Sequence, residues 1–553
     1  MVSPGVDVKE IDLTNVIPAV STSIGGTIGL FNWGPIDEIV QVGSEQDLVT
    51  RFGKPDDTTY AYFYNAALFL KYGNALKVVR YGGDTSDQTL LNATGGSAGL
   101  LVKNVDHYDS LATSIEAGDA TNGRFIARCA GSAGNGLKVT IITSGSFLGD
   151  NSGTGSSFAG LFEAAPEAGN FHIVVQDEGG DLADGATSTN PVTLETFANV
   201  SASPTAKADT GGSNFYYDVL KKNSAFIFAG HKYQASEVNA TITSDITVSL
   251  GNGGNYTTGD GTEAGIAGTY GGNDGIFADA ESVDVNFFIA GAMSSANSNT
   301  VIAAAETRKD VIAFASPPVA DVSNRADTTT AVNAAKTWAD SINSSSYGVL
   351  DSASVYIYDK YNDKNRFTGA AGLVAGLNAY TDDVADPWFS PAGFNRGQLR
   401  SVIKLSYNPT STQRDTLYKA RINPLVSFPG QGTVLFGDKT ALSKPSAFDR
   451  INVRRLFITI EKAIATAAKF QLFEFNDEFT RAMFRNMTEP FLREVKGRRG
   501  ITDFAVICDE TNNTGNIIDT NQFVADIYVK PARSINFITL NFIATRTGIE
   551  FSE

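Results

Sequence analysis

The sequence predicts a multidomain protein that combines α+β and α/β regions. Three observations lead to this fold class. The 553 residues are too many for one hydrophobic core, and a hydrophobic content of 42% is enough to build several. Residues 82–275 are rich in Gly, Ser, Thr, Asn and Asp and contain only short β-type runs. Between residues 276 and 420, apolar strands alternate with helical segments.

The chain opens with an extended arm, predicted over residues 1–20. Val6 and Val8 alternate with charged residues after a Pro-Gly turn signal, and the segment has too little apolar surface to pack alone. We therefore expect the arm to pair with a host sheet. Residues 21–81 are predicted to be the first part of the α/β core, with a strand at 25–31, a helix at 60–71 and a strand at 76–80.

Residues 82–275 are predicted to form an inserted β-rich domain with long loops. Its glycine-rich end, residues 251–275, is interpreted as a linker, with a mobile surface loop as the alternative. The β-type runs of the insertion lie at 125–127, 137–142, 171–175 and 226–228.

Residues 276–420 are predicted to form an α/β domain. Buried-type strands separated by helices of about ten or more residues favour right-handed βαβ units and a parallel sheet covered on both faces. The predicted strands are 285–290, 311–315 and 354–358, and the predicted helices are 296–309, 331–342 and 370–379.

Residues 421–535 are predicted to form a C-terminal α+β domain, with a first helix at 452–470, a second after Asn476 and a third from Thr488. In the first helix, Arg454 and Arg455 fall outside the apolar stripe, so they are assigned to its solvated face. The stripe consists of Val453, Leu456, Phe457, Ile460, Ile464 and Ala467.

The last segment, residues 536–553, is predicted to continue a strand and to end in a second arm. The strand predicted at 535–543 is apolar on both faces, so it needs cover on each side. The tail that follows could reach another molecule.

The charge of the chain is acidic and uneven. A net charge of -17 opposes binding to nucleic acid or to an anionic membrane surface. Residues 1–420 carry 26 basic and 45 acidic side chains, whereas residues 450–499 carry 11 basic and 6 acidic ones. No apolar run approaches the about 18 residues of a membrane span, and the N-terminus lacks the pattern of a signal peptide. We expect assembly in a cytoplasm, without nucleic acid partners or membrane insertion.

The sequence predicts no cofactor or metal site. Cys129 and Cys508 lack the spacing of a disulfide framework or a zinc site and are expected to be buried free thiols. The segment 131–140 resembles a phosphate loop only superficially, because its lysine comes one residue too late and a strand follows. Asp382, with Asp383 and Asp386, is interpreted as surface acidity.

The sequence also predicts no hydrolase. All three histidines, His107, His172 and His231, lie in or near the insertion. The α/β region after residue 283 therefore has no imidazole to activate a serine.

Several segments together resemble contractile tail sheath proteins of phages, R-type bacteriocins and related injection machines. The resemblance is clear over residues 1–80 and 280–553 and loose in the insertion. The segments are Ser3-Pro-Gly-Val-Asp-Val-Lys-Glu, Ile17-Pro-Ala-Val-Ser-Thr-Ser-Ile-Gly-Gly, Asp386-Pro-Trp-Phe-Ser-Pro-Ala-Gly-Phe-Asn-Arg-Gly-Gln-Leu, Phe491-Leu-Arg-Glu-Val-Lys-Gly-Arg-Arg-Gly, Asp509-Glu-Thr-Asn-Asn-Thr and Ser534-Ile-Asn-Phe-Ile-Thr-Leu-Asn-Phe.

The resemblance implies a structural subunit of a virion tail, and not an enzyme. Such a subunit stacks in hexameric rings around an inner tail tube, and the array collapses to drive the tube through a cell envelope. The implied α/β domain resembles the subtilisin fold without its catalytic residues. The implied partners are further copies of the chain, the inner tube protein, and baseplate and tail terminator proteins.

Edge-strand addition gives such a polymer a physical route, because an extended arm can complete the sheet of a neighbouring C-terminal domain. Lys496, Arg498 and Arg499, beside a helix end, are predicted to contact the tube, with a solvated loop as the alternative. The residues predicted for the inter-subunit arms are Val2, Val6, Val8, Phe542, Ile549 and Phe551.

Two other functions fit parts of the sequence. A Gly/Thr-rich surface or adhesion protein explains the insertion but leaves the missing signal peptide unexplained. An α/β enzyme is the third alternative.

Overall fold

A computed structural model of the protein describes residues 21–83, 89–117, 123–148, 156–256, 262–272 and 275–536. Its first region supplies three strands and two helices to the central domain. The strand that contains Gly29 packs closely against the helix that contains Tyr62, because a Cβ on Gly29 would lie 2.6 Å from the Cβ of Tyr62. The elements are β1 (Gly25–Gly29), β2 (Ile39–Val42), α1 (Glu45–Phe52), α2 (Tyr60–Phe69) and β3 (Leu76–Arg80).

The inserted region has a hydrophobic core of its own, which includes Phe171, Tyr216 and Tyr233. Its elements are α3 (Val105–Ala117), β4 (Phe125–Ala127), β5 (Leu137–Thr143), α4 (Ser144–Leu148), β6 (Asn170–Asp177), β7 (Val192–Ser201), α5 (Tyr216–Asn223), β8 (Ile227–Ala229) and β9 (Ile246–Ser249). Strands β7-β6-β5-β9 form an antiparallel sheet, and β4 pairs with β8. The inserted region therefore contains antiparallel β-structure together with helices, and its bounds as a domain stay a prediction.

The interpretation of residues 251–275 as a linker is wrong. Gly251 and Gly254 pair with Thr94 and Leu91 inside the insertion. The segment then forms α6 (Thr262–Thr269), and the Tyr270 hydroxyl that follows donates to the Ile289 carbonyl at 2.8 Å. The high glycine content of the segment concealed this helix in the sequence. In the structure, a few buried apolar residues are enough to hold the helix on the core.

The central region continues with strands and helices from residue 287 to 435. They are β10 (Phe287–Ala292), α7 (Ser295–Arg308), β11 (Ile312–Ser316), α8 (Val319–Val322), α9 (Thr328–Asp340), β12 (Gly348–Asp351), β13 (Val355–Asp359), β14 (Lys364–Thr368), α10 (Ala371–Val384), β15 (Lys404–Leu405), α11 (Ser411–Lys419), β16 (Ile422–Asn423), β17 (Leu425–Phe428) and β18 (Gly432–Leu435).

A seven-stranded sheet in the order β16-β12-β11-β10-β1-β3-β2 forms the centre of the molecule. Every neighbouring pair is parallel except β2 and β3. Strand β11 is buried along its whole length, as a parallel strand covered by helices on both faces must be. The sheet joins two distant parts of the sequence, because β1 lies between β3 and β10.

One predicted parallel strand is placed wrongly. The segment predicted at 354–358 is β13, which lies in a separate antiparallel sheet with β14 and β15. Its alternating burial, with Tyr358 exposed, is typical of a half-covered antiparallel strand. The parallel strand is the segment β12, which was not predicted because Val349 and Leu350 are its only large apolar residues.

The C-terminal region consists of α12 (Ile451–Ala468), α13 (Glu478–Gly497), β19 (Ile501–Ile507), α14 (Gly515–Asp519) and β20 (Asp526–Pro531). A third hydrophobic cluster, with Leu456, Leu492 and Trp388, holds it together. The domain boundary predicted at residue 421 stays a prediction, although Ile422–Asn423 pairs with β12 in the large sheet.

Candidate assembly surface

The antiparallel hairpin of β19 and β20 is an incomplete sheet. Phe504 pairs with Val529 and Val506 with Ile527, and these residues are half-buried against the C-terminal cluster. Within the residues that the structure describes, neither strand has a neighbour on its outer edge. Because an isolated two-stranded sheet is marginal in water, both edges can accept a further strand.

Helix α13 carries this hairpin. Its N-cap is Asp477, whose carboxylate accepts a hydrogen bond from the Thr480 amide at 2.8 Å, so Asn476 was predicted one residue too early. The third helix predicted from Thr488 does not exist as a separate element. Pro490 lies inside α13, where buried contacts of Met487 and Leu492 on either side hold the helix despite the lost hydrogen bond.

Helix α12 joins the C-terminal region to the central domain through buried arginines. Arg455 lies 2.6 Å from Asp382 and also donates to the Asn378 carbonyl. Arg454 donates to the Ser346 hydroxyl at 2.7 Å and stacks on Phe448. The prediction of a solvated face for both arginines is wrong, because their long side chains reach fixed partners.

Asp382 is likewise not a surface group. Burial raises the pKa of its carboxyl, while the positive charge of Arg455 acts in the opposite direction. The ion pair is buried on both sides and so depends on both members.

The residues predicted to contact the tube lie at the C-terminal end of α13, and all three are exposed. Lys496 lies 3.0 Å from Asp503, and Arg498 pairs with Asp386 and stacks on Trp388. Arg499 has a left-handed backbone (φ 66°) and forms no ion pair within the described part of the chain. Of the three, only Arg499 presents a charge that is not already neutralised nearby.

A polar cluster around the buried Asp438 holds residues 534–536, the last part of the chain that the structure describes. The Ser534 hydroxyl donates to Asp438 at 2.8 Å, and the Asn536 amide donates to the Tyr418 hydroxyl at 2.9 Å. Arg450 lies 3.2 Å from the same Asp438. The predicted arm residues Val2, Val6, Val8, Phe542, Ile549 and Phe551 lie outside the described residues, as does most of the strand predicted at 535–543.

The sequence analysis missed an aromatic segment, residues 470–479, that joins α12 to α13. The exposed fractions are 72% for Phe470, 105% for Phe473 and 82% for Phe475, and Leu472 and Phe479 are also exposed. Large apolar side chains rarely stand together in water without a partner. The sequence signal that could have revealed the segment is a group of five large apolar residues within ten positions. These residues do not continue the apolar stripe of α12.

A buried polar cluster lies at the carboxyl ends of β11 and β12. The Ser316 hydroxyl donates to Asp351 at 2.5 Å and accepts the amides of Ala370 and Ala371. Burial raises the pKa of Asp351 to about 8. Each of these polar groups is buried, and the three histidines lie in the insertion, so Ser316 and Asp351 have no imidazole partner of the kind that a Ser-His-Asp triad requires.

The histidine that the structure buries has a structural role. His172 accepts the Asn199 amide at Nδ1, approaches the Ala164 carbonyl with Nε2 and stacks on Phe162. Burial lowers its pKa and favours the neutral ring.

The described residues also bear on metal binding, membrane insertion, the cysteines and the phosphate-loop resemblance. No group of three or more His, Cys, Asp or Glu there could hold a metal ion. No helix in that part of the chain is long and apolar enough to cross a membrane. Cys129 and Cys508 are buried free thiols, as predicted. Residues 132–136 form a short 3-10 turn before β5, so a turn, and not a phosphate loop, is confirmed.

Three protein families match successive parts of the chain. The N-terminal region of domain III of the tail sheath protein Gp18 matches residues 22–80. The phage tail sheath protein central domain matches residues 254–441, and the phage tail sheath C-terminal domain matches residues 443–545. The matches leave out most of the insertion.

Curated relatives match over their full length. The chain is 34% identical to the tail sheath protein of Vibrio phage KVP40, with 100% of this chain and 99% of the relative covered. It is also 34% identical to the tail sheath protein of Enterobacteria phage T4 at the same coverage.

Solved structures agree in fold. The sheath tail protein Lin1278 from Listeria innocua superposes with a TM-score of 0.55 at 12% identity, over 93% of this chain and 96% of that one. The sheath tail protein from Desulfitobacterium hafniense gives 0.52 at 12% identity, over 96% and 100%. With the full-length relatives, these likenesses establish that the chain belongs to the phage tail sheath protein family.

Proposed function

We propose that the protein is the structural subunit of a contractile tail sheath, which stacks as hexameric rings around an inner tube and contracts to drive the tube through a cell envelope. The single observation that carries this is the 34% identity to phage tail sheath proteins over the whole chain. The helical sheath of the anti-feeding prophage in its contracted state has the same fold, with a TM-score of 0.51. The alternative function, a Gly/Thr-rich surface or adhesion protein, receives no support from these relatives.

The open edges of β19 and β20 support a mechanism in which chain termini are exchanged between subunits. The arm around Val6 and Val8 and the tail around Phe542 would each add a strand to the hairpin of a neighbour. Main-chain hydrogen bonds contribute about 0.5–1.5 kcal/mol each, so four to six per arm give a few kcal/mol. That is enough to tether neighbours while the subunits rotate as rigid bodies.

The anchor at Asp438 gives the tail a defined starting point. Because Ser534 and Asn536 are tied to the central domain, residues 537–553 must depart from a fixed position. The tail can then span to a neighbour without disordering the hairpin that precedes it.

In this mechanism the chain acts without a catalytic group, and contraction needs no nucleotide. The α/β domain would be a subtilisin-like scaffold without catalytic residues. Contraction would draw on contacts between subunits that become more complete in the collapsed lattice. Part of the basic charge of residues 450–499 is already used within the chain, as in the pair of Lys462 with Asp284. The cations left for such contacts include Arg499.

Deletion of residues 1–10 tests the exchange of arms. The shortened chain should remain folded, because these residues precede the core, yet it should fail to form tubular polymers by electron microscopy. Normal polymers from the shortened chain would refute the exchange mechanism.

Charge reversal tests the tube contact. A chain with K496E, R498E and R499E should form sheath poorly on tubes, and R499E alone should account for most of the loss. R493E is the matched control, because it reverses another exposed cation of α13 that lies outside the predicted contact. Normal assembly of the triple variant on tubes would exclude these residues from that role.

The remaining partners and the location follow from the same family. We infer that the sheath also contacts baseplate and tail terminator proteins and that the protein is a virion tail component assembled in the host cytoplasm. The baseplate of the anti-feeding prophage has a chain with the same fold, at a TM-score of 0.52. Co-purification of the chain with tail baseplates, and its absence from membrane fractions, tests this assignment.

A further inference from the structure

Within the described part of the chain, the large apolar side chains of the aromatic segment, residues 470–479, remain exposed. Phe473 is fully exposed at a left-handed backbone position (φ 71°), so the backbone itself turns this side chain outward. The base of the segment is held in place, because the Asn476 amide donates to the Gln522 carbonyl at 2.8 Å. The segment is thus a fixed apolar projection, with Glu474, Asp477 and Glu478 giving it negative charge.

A second aromatic surface lies on the central domain. Phe394, Phe428 and Phe436 form a cluster with ring centroids 5.3 to 6.3 Å apart, and Phe394 and Phe436 are each about two-fifths exposed. The Arg414 guanidinium lies over Phe428 and Phe436 and forms no ion pair with the described residues. This aromatic patch is apolar and positive, whereas the aromatic segment is apolar and negative.

The two surfaces are separated by the length of α12. The Ile451 amide at the start of α12 donates to the Asp438 carbonyl, two residues after Phe436. The aromatic segment follows the other end of the helix, which is 18 residues or about 27 Å long at 1.5 Å per residue. The surfaces therefore cannot meet within one chain. Different, complementary surfaces on identical subunits make head-to-tail contacts, which build rings or open helical arrays.

We propose that the aromatic segment of one copy docks on the aromatic patch of a second copy, an interface between sheath subunits that is separate from the exchanged arms and rests on the sheath function proposed above. Phe473 and Phe475 fill the apolar surface around Phe436. The carboxylates of the aromatic segment pair with Arg414. Among them, Glu474 lies between Phe473 and Phe475 in the sequence.

Cysteine cross-linking tests this contact directly. Both native cysteines are buried, so a chain with F436C and F473C has two exposed thiols. A disulfide requires Cα atoms within about 7 Å, which the length of α12 forbids inside one chain. Oxidation of polymers, or treatment with a short bis-maleimide, should give ladders of linked subunits. Each single-cysteine variant is the control and should give no ladder.

The result that overturns the proposal is a polymer of the double variant without linked subunits. Protection of the F436C thiol from maleimide in the monomer would also overturn it, because the tail of the same chain would then cover the patch. Failure of the wild-type chain to form any polymer, with or without tubes, would instead refute the sheath function itself.

Assembly of the chain without tube protein distinguishes a second copy of the chain from the inner tube as the partner of the aromatic segment. F473S with F475S should raise the critical concentration for polymerisation at least ten-fold, and R414E should have a similar effect that E474K partly reverses. L148S removes an equally exposed apolar group from the insertion and should leave assembly unchanged. If F473S with F475S polymerises normally alone and loses only assembly on tubes, the segment binds the tube and the proposal is wrong.

Discussion

The central sheet and the C-terminal hairpin differ in how completely their strands are paired and buried. In the seven-stranded sheet the inner strands are paired on both sides and largely buried, and Phe314 in β11 has no exposed surface. The hairpin of β19 and β20 has two strands, two open edges in the described structure, and an exposed Tyr528.

The difference separates stability from assembly. A buried core can stabilise a subunit alone, whereas in the proposed exchange of arms the two-stranded hairpin is completed by strands from neighbouring subunits. Substitutions in the first region should therefore unfold the monomer, and substitutions in the second should spare the monomer and weaken the array.

Each region contains its own tryptophan, which allows the two to be followed separately. Trp338 belongs to the central core, and Trp388 belongs to the C-terminal cluster. A variant chain can keep one of these two tryptophans and have Phe at the other two tryptophan positions. Its fluorescence then reports the unfolding of one region.

The largest effect is expected from truncation of the central core. F314A should lower the free energy of unfolding by about 3–5 kcal/mol, because it leaves a cavity in a buried strand. The matched change F504A in β19 should cost much less in the monomer yet reduce polymerisation. Equal destabilisation of the monomer by both variants in urea unfolding would contradict the proposed difference between the regions.

A similar loss is expected where the two regions are joined. R455M leaves Asp382 buried without its cation and should cost about 3–5 kcal/mol. The double variant R455M with D382L replaces both charges by apolar groups and should recover part of the loss. The Trp388 signal should respond to R455M at lower urea than in the wild type, and no recovery in the double variant would show that the pair is not the cause.

A smaller effect depends on pH and concerns the central domain. Burial raises the pKa of Asp351 to about 8, so between its unfolded pKa and pH 8 the folded state binds a proton that the unfolded state has lost. Stability from this group is therefore greatest at acid pH and falls as pH rises.

D351N should remove this dependence. Relative to wild type, the variant should gain at least about 1.4 kcal/mol between pH 5 and 8, the equivalent of one pKa unit. Urea unfolding at several pH values, followed through Trp338, measures it. Parallel pH profiles of the two proteins would mean that Asp351 titrates normally.

The smallest effect is expected at the start of α13. D477A removes the cap on the Thr480 amide and should speed hydrogen exchange in the first turn. D477N keeps an acceptor and should exchange like the wild type. The Trp338 transition should not move in either variant, since this turn belongs to the C-terminal region.

The sequence predicted elements with strong periodicity and missed those fixed by tertiary contacts. The strands at β3 and β4 were predicted to the residue, because apolar runs bounded by turn residues are local signals. Strand β12 has the sequence Gly-Val-Leu-Asp, in which only Val349 and Leu350 are large and apolar, and α6 is hidden by glycines. The unbroken course of α13 through Pro490 depends on packing that no local pattern reports.

The assembly surface was predictable only in part. Local sequence placed Lys496, Arg498 and Arg499 at a helix end, yet it could not show that Asp503 and Asp386 already neutralise the first two. The burial of Arg455 depends on a carboxylate 73 positions away in the sequence. The open edges of the hairpin could not be predicted either, because an unpaired edge is a property of the folded chain.

The contact of Tyr81 with Tyr256 has a consequence for how this family can vary. Their rings lie 5.8 Å apart, so the two ends of the insertion meet beside the end of β3. All seven strands of the large sheet come from outside the insertion, although the insertion also packs on the central domain, as in the ion pair of Lys103 with Asp37 at 2.8 Å. An insertion of another size could therefore be carried by the same sheet, provided that it still covers the central residues that it now buries, among them Trp33.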